Sequence, residues 1–310
     1  MTDATPAFDF SALPVVDDHL HPYVIRHEGN RYAPLNSFLG MPGEDEAALA
    51  HRDAMLYQRW ATRQMAAFLD VEPTPEIVAA ARAAQGDERA WAARLFRDQN
   101  IEALVVDTGY PQPPVDMAGF ATITPAQILT IYRIEPPIKA LRDHMLLRAL
   151  RHAVTLRVPF QVHTGIGDRD IMLERCNPAL LNPVLKRESY REARVVLIHT
   201  YPYVAEASWM AAALPNVWMD LSEGVPFALT AVDRIFATAL ELAPINRILY
   251  GSDAFAGPEQ IWLGAKIAKA ALARVFTDLL HKDLVTEEDA RDAARAILAG
   301  NARVLYGVLG

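Results

Sequence analysis

The chain has 310 residues, 52% apolar and 22% charged, which supplies material for a large core and excludes a disordered chain. Its 30 Lys and Arg against 38 Asp and Glu leave a net charge of −8 with no basic run, which argues against a nucleic-acid or anionic-membrane surface. One cysteine, Cys176, excludes an internal disulfide and any cysteine-rich metal site, and fits a reducing, cytoplasmic location.

The first residues, Met-Thr-Asp-Ala-Thr-Pro, are polar and lack a leader-like apolar region. No uncharged apolar run approaches the ~20 residues that span a bilayer. In chain order, the short apolar runs that read as strands are Leu13–Asp17, Ala103–Asp107, Ile128–Ile134, Pro159–His163, Val195–His199, Val217–Asp220 and Arg247–Gly251. Several are apolar throughout, as parallel strands buried on both faces must be. Helical stretches lie between most of them, which predicts a parallel α/β fold, taken as one domain over residues 1–310.

Two regions break the alternation. Residues 43–100 hold no strand signal and read as a helical insertion after the first strand, with helices over Glu44–Leu69, Pro75–Ala84 and Asp87–Gln99. Thr74-Pro75-Glu76 is a helix start: a capping hydroxyl, a proline at the first position and an acid in the first turn. The insertion is either a lid over a site or structural cover. Between Ile134 and Pro159 there is room for one helix, about Pro137–Leu156, so seven strands are expected where a closed barrel has eight. The C-terminal part reads as helices over Glu259–His281 and from Thr286, whose Thr286-Glu287-Glu288-Asp289 resembles a capping box, to about Tyr306.

The chemistry gathers at strand ends. His19-Leu20-His21 closes the first apolar run, and residues two apart on a strand project to one face, where two imidazoles can share a metal ion. Alone, an H-x-H is a weak signal. It is strengthened by Gln161-Val162-His163, Leu197-Ile198-His199 and Gly251-Ser252-Asp253, each of which puts a metal-capable group at the end of another apolar run. In a parallel barrel these C-terminal ends form one face, where active sites are built. Neutral imidazoles with one carboxylate suit Zn²⁺, with Mn²⁺, Fe²⁺ or Co²⁺ as alternatives, and an open coordination position marks a catalytic site. Asp253 could ligate the metal and take a proton from water, and His199 could ligate or protonate substrate.

At these motifs the sequence resembles the amidohydrolase superfamily, in the branch called amidohydrolase family 2 that includes aminocarboxymuconate-semialdehyde decarboxylase. Within that branch it is most similar to the amidohydrolase domains found fused to glutamine synthetase-like domains. Val16 to His21, Gln161 to Asp168, Val196 to His199, Leu249 to Asp253, Ala243 to Asn246 and Asn301 to Tyr306 carry the resemblance. It implies a distorted (β/α)8 TIM barrel with His19, His21, His163 and Asp253 as metal ligands and His199 as an acid/base or further ligand. The fourth strand unit, which often carries a Lys in this family, is missing between Ile134 and Pro159. Lys139 reads as helical, so one metal is expected and no bridged pair.

Other residues are candidates for substrate contact. Arg169, in the glycine-rich Thr164 to Arg169 segment, could grip a carboxylate; Glu135 and Tyr201 could line the pocket; Asp220, Ser222 and Glu223 follow the Val217–Asp220 strand. Gly251-Ser252-Asp253 is not a nucleophile elbow, which argues against a serine hydrolase. The leading expectation is a metal-dependent hydrolase of an amide or related C–N bond in a small molecule. A non-oxidative decarboxylase of a small unsaturated or aromatic acid is the second. A catalytically silent metal-binding scaffold is the third. A homo-oligomer is compatible with the sequence; nucleic-acid and membrane partners are not expected.

Overall fold

The computed structural model describes residues 6–24, 46–109, 115–131, 139–169 and 171–308. Seven strands are present among them: β1 (Val15–Leu20), β2 (Ile101–Asp107), β3 (Gln127–Ile131), β4 (Pro159–His163), β5 (Arg194–Ile198), β6 (Val217–Asp220) and β7 (Ile248–Leu249). They form two parallel sheets ordered β1-β2-β3 and β4-β5-β6-β7. The segment leaving β7 joins them through three bonds to the first strand: Asp18 N–H donates to the Tyr250 carbonyl at 3.1 Å, Asp253 N–H to His19 at 2.8 Å and His21 N–H to Ala254 at 2.7 Å. The lateral order is therefore β4-β5-β6-β7-β1-β2-β3. Among the described residues no strand stands between β3 and β4, where only the helix Lys139–Leu156 lies. Residues 132–138, which include the end of the expected third strand and Glu135, are outside the described residues.

Two apolar layers hold the sheets. β1 is buried at every position and β5 at four of five, as the apolar runs require. A small cluster inside the curve of strands joins Val16, Ala103, Val196, Ile198 and Leu249 to Ala299, Ala302 and Leu305 of the last helix, which closes one end of the interior. The larger cluster packs the outer faces of the strands against helices, most of all the Pro258–His281 helix with its buried Ile261, Trp262, Ala265, Ala268 and Leu272.

Among the described residues the insertion holds four helices: α1 (Glu46–Ala54), α2 (Leu56–Leu69), α3 (Pro75–Ala83) and α4 (Glu88–Gln99). The single helix expected over Glu44–Leu69 is broken at Met55, whose extended backbone (φ −72°, ψ 133°) restarts it. No glycine or proline marks this break, so it left no trace in the sequence. Thr74 caps α3, its hydroxyl accepting from Ile77 N–H. Thr286 and Asp289 form the expected capping box. The insertion is bound to the outer helix by buried polar contacts: Arg82 Nε to Glu259 Oε1 at 2.8 Å, Trp91 Nε1 to the same oxygen, Trp262 Nε1 to Asp98 at 2.6 Å, and Lys269 Nζ to the Gln99 carbonyl at 2.6 Å. Helices α3 and α4 are thus cover on the outside of the sheet. Tyr57 of α2 reaches the Phe227 ring (centroids 5.0 Å apart), which follows the end of β6. Among the described residues no helix is long and apolar enough to cross a membrane.

Candidate metal centre

The strand ends converge. His19 Nε2 and His21 Nε2 each lie 3.3 Å from Asp253 Oδ1, and His199 Nε2 lies 3.9 Å from it. The His19 ring is 4.9 Å from that of His199 and 5.3 Å from that of His21. All four residues are buried. His19 and His21 do not reach this point by plain alternation alone: β1 carries a register shift between Asp17 and Leu20, the local irregularity that re-aims side chains beside active sites. His199 and Asp253 sit one and four residues past their strands, each in the left-handed region (φ 57° and 53°), which turns the chain sharply as the side chain enters the site.

Hydrogen bonds fix which nitrogen of each imidazole is free. Gln161 Nε2 donates to the Asp18 carbonyl at 2.8 Å and to Tyr306 Oη at 2.7 Å, so Gln161 Oε1, 2.6 Å from His19 Nδ1, must accept from it. A neutral His19 then carries its proton on Nδ1 and presents a lone pair on Nε2. Ser222 Oγ donates to Asp220 Oδ1, so at 2.7 Å it accepts from His199 Nδ1 and leaves His199 Nε2 unprotonated toward Asp253. Metal-ligating histidines are oriented by such partners. The Asp220 carboxylate also accepts from the His199 backbone N–H at 3.2 Å, tying the end of β5 to β6.

His19 Nε2 and Asp253 Oδ1 are buried and neither forms a hydrogen bond with any group of the chain. A buried imidazole nitrogen and a buried carboxylate oxygen facing each other at 3.3 Å need a cation between them, a proton on the imidazole in the chain alone or a metal ion. Among the described residues two groups of donor atoms are close enough to share an ion: His19, His199 and Asp253, and His19, His21 and Asp107. The residues therefore fit a divalent cation. Asp107, at the end of β2, is new relative to the sequence reading. Its carboxylate lies 3.8 Å from His21 Nδ1 and accepts from Gly109 N–H at 2.8 Å. Its only sequence signal was its place at the end of an apolar run.

The electrostatics of the chain alone follow from burial against mutual charge. Burial opposes protonation of His19, but Asp253, Asp107 and Asp220 together outweigh it and raise the imidazole to about 8. Burial lowers His199 well below the usual histidine range, against the attraction of Asp253 and with the help of the neighbouring imidazoles. Burial raises Asp253, yet His199, His19 and His21 overcome it and hold the carboxyl well below the usual range. Beneath the site, burial raises Asp17 to about 7 and, with Asp220 beside it, Asp18 well above the carboxylate range. Glu223 is raised well above its usual value by burial, then by the Asp253 charge. A dication among these groups reverses the local balance and holds the imidazoles neutral.

The structure places the other expected residues less centrally. His163 ends β4 with its ring 4.6 Å from that of His199, but its Nε2 lies 2.9 Å from the Ile166 carbonyl oxygen, and it joins neither group of converging donors. Its loop explains the glycines of Thr164-Gly165-Ile166-Gly167. A Cβ at Gly165 would stand 1.7 Å from the His199 carbonyl oxygen, and one at Gly167 would stand 2.7 Å from His163 Nε2. The loop is glycine-rich because other parts of the site press against its backbone. Arg169 is exposed. Tyr201 is half-buried against the main core, and its carbonyl accepts from Ile166 N–H at 2.8 Å.

A parallel α/β sheet with histidines and an aspartate converging at its strand ends defines a barrel of the metal-dependent hydrolase type. Residues 16–308 match the amidohydrolase family, and the chain belongs to it. It is 36% identical over 192 residues to Protein fluG of Emericella nidulans, a match covering 60% of this chain and 22% of that protein, so the chain spans only about a fifth of that relative's length. Among solved structures, a protein of Lactobacillus casei ATCC 334 classed as a metal-dependent hydrolase superposes with a TM-score of 0.82 at 23% identity, over 96% of this chain and 97% of that one. Glucuronate isomerase of Caulobacter crescentus superposes with a TM-score of 0.58 at 12% identity, over 96% and 92%. These likenesses establish the shared fold.

Proposed function

We propose that this protein is a metal-dependent hydrolase of an amide or related C–N bond in a small molecule, with one divalent metal, zinc first among the choices. The observation that carries the reading is the pair of buried, unsatisfied atoms His19 Nε2 and Asp253 Oδ1, with the proton of His19 fixed on its far nitrogen by Gln161. Family membership supports hydrolysis. His19, His21 and Asp253 would hold the ion, with His163 reaching it by turning from the Ile166 carbonyl. When bound, the ion supplies a lowered pKa for water and positive charge against the oxyanion that develops on the substrate carbonyl. Asp253, kept ionised by the surrounding imidazoles, would accept on a carboxylate oxygen the proton that water gives up and pass it on. His199 keeps Nε2 unprotonated through Ser222 and Asp220, and is placed to receive that proton and deliver it to the leaving nitrogen. Arg169, Glu135 and Tyr201 stay as candidates for holding the rest of the substrate.

The test is metal content by mass spectrometry in the wild type and in His19→Ala and Asp253→Asn. About one Zn²⁺ or Mn²⁺ per folded chain, lost in both variants, is the expected outcome. No metal after reconstitution would overturn the reading. Release of CO₂ without uptake of water in a substrate screen would replace hydrolysis by decarboxylation. A metal-loaded chain silent toward every amide and acid would make it a scaffold.

A further inference from the structure

One acidic side chain at the centre is used by neither the fold nor the metal. Glu223 follows β6 by three residues and is 4% exposed. It directly follows Ser222, whose Oγ lies 2.7 Å from His199 Nδ1, and its carboxyl feels the charge of Asp253. It belongs to neither group of converging donor atoms, and its Oε2 is buried without a hydrogen-bond partner. The chain itself therefore leaves a buried carboxyl oxygen unsatisfied beside the candidate metal centre.

The backbone that puts it there is strained. Glu223 has φ 54° and ψ −50°, and Gly224 N–H bonds the Ser222 carbonyl at 2.5 Å across it, a γ-turn of the rare φ-positive kind. A residue with a side chain is disfavoured there, and the turn is clamped on both flanks by Val225 N–H to the Leu221 carbonyl (2.9 Å) and Phe227 N–H to the Glu223 carbonyl (3.1 Å). Glycine would adopt this turn with less strain. Retention of a glutamate in such a conformation, buried and unpaired, points to a use for its carboxyl.

We propose that Glu223 contacts substrate directly, accepting a hydrogen bond from the N–H of the amide to be cleaved. This rests on the hydrolase reading above and sharpens it: the site takes amides that keep a hydrogen on nitrogen, and disfavours tertiary amides and lactones, which offer no donor. A binding site built around a polar partner discriminates strongly against analogues lacking it, because its own buried group is then left unpaired.

The zinc-loaded full chain tests this with two small chelating probes, acetohydroxamic acid and its N-methyl derivative, which differ by the N–H. Calorimetric titration of the wild type should show the N–H probe binding about tenfold more tightly than the N-methyl probe, the range expected when a buried acceptor is otherwise left unpaired. In Glu223→Ala and Glu223→Gly the preference should shrink to about twofold or less while zinc per chain is unchanged. Glu223→Gly should melt at or above the wild-type temperature, since the turn is relieved, whereas a purely structural Glu223 predicts a lower one. An equal affinity for both probes in the wild type, no binding of either, a preference that survives in the variants, loss of zinc in Glu223→Ala, or a destabilised Glu223→Gly would each overturn the proposal and leave the metal centre standing. A wild type that takes up no zinc would overturn both.

Discussion

Gly165→Ala tests whether the strand ends are held by backbone-to-backbone contact. Gly165 has φ +65°, and an added Cβ would lie 1.7 Å from the His199 carbonyl oxygen and 2.4 Å from that of Tyr201. Neither oxygen can rotate away, because the turn after β5 carries both. A left-handed alanine costs about 1–2 kcal/mol. Forcing two backbone atoms aside adds about 1–3 kcal/mol, the usual range for overpacking. The sum is about 2–5 kcal/mol, or a fall in Tm on the order of 5–10 °C for a chain of this size. Gly86 supplies the control: its φ is +73°, but nothing lies within 4 Å of the Cβ it would gain. Gly86→Ala should therefore lose only the conformational part, and the difference between the two variants isolates the steric one. Thermal melts of both, with zinc affinity measured by chelator competition, are the assay. Gly165→Ala should also weaken zinc, because relief shifts the loop that directly follows His163, one of the residues that would hold the ion; Gly86→Ala should not. Equal losses of stability, or unchanged zinc affinity in Gly165→Ala, would refute the reasoning.

Other outcomes follow from the same contacts. Gln161→Leu removes the acceptor that orients His19, so zinc affinity should fall about 10- to 100-fold by chelator competition. Arg82→Met takes the buried guanidinium from the buried Glu259 carboxylate and should cost about 3–5 kcal/mol in denaturant unfolding, with Arg82→Met/Glu259→Gln recovering part of it. Lys269 donates to the Ser11 and Gln99 carbonyls, and burial pulls it down to about 8. Between about pH 8 and 10.5 the unfolded lysine then binds more protons than the folded one, so this group makes stability rise with pH across that window. A neutral amine keeps two N–H groups, enough for both carbonyls. Urea midpoints at pH 8 and pH 10 should show the wild type gaining relative to Lys269→Met.

The sequence showed the strands because parallel strands are buried on both faces, so Val195 to Ile198 and Leu104 to Val106 need no alternation to be read. It also showed the first histidines and the last aspartate, because a polar group closing an apolar run stands out locally. The shift within β1 was not legible: register depends on the neighbouring strand, and nothing between Asp17 and Leu20 announces it. Gln161 looked like an ordinary strand residue, since its partners are 142 to 145 positions away. Glu223 was visible as an acid after a strand, but not the turn that aims it, because no local preference favours a glutamate at positive φ. His163 was legible as a strand-end histidine, whereas its contact with Ile166 depends on how closely the Gly167 backbone can approach its ring.

The brace beneath the metal centre bears on how the protein reaches its working state. Tyr306 Oη lies 3.4 Å from Asp18 Oδ2, spanning 288 positions, and meets Gln161 on the way to His19. The first strand also takes its neighbours from residues 250–254. His19 thus acquires its fixed orientation only when the segment around Tyr306, 288 positions beyond Asp18, has been made and docked. Contacts of such long sequence separation form slowly, because the closure entropy must be met before they reward it. A chain in which Tyr306 and residues 250–254 have not yet docked therefore has no finished ion trap to offer, and metal capture follows that docking, where the ion consolidates the joining of the two segments.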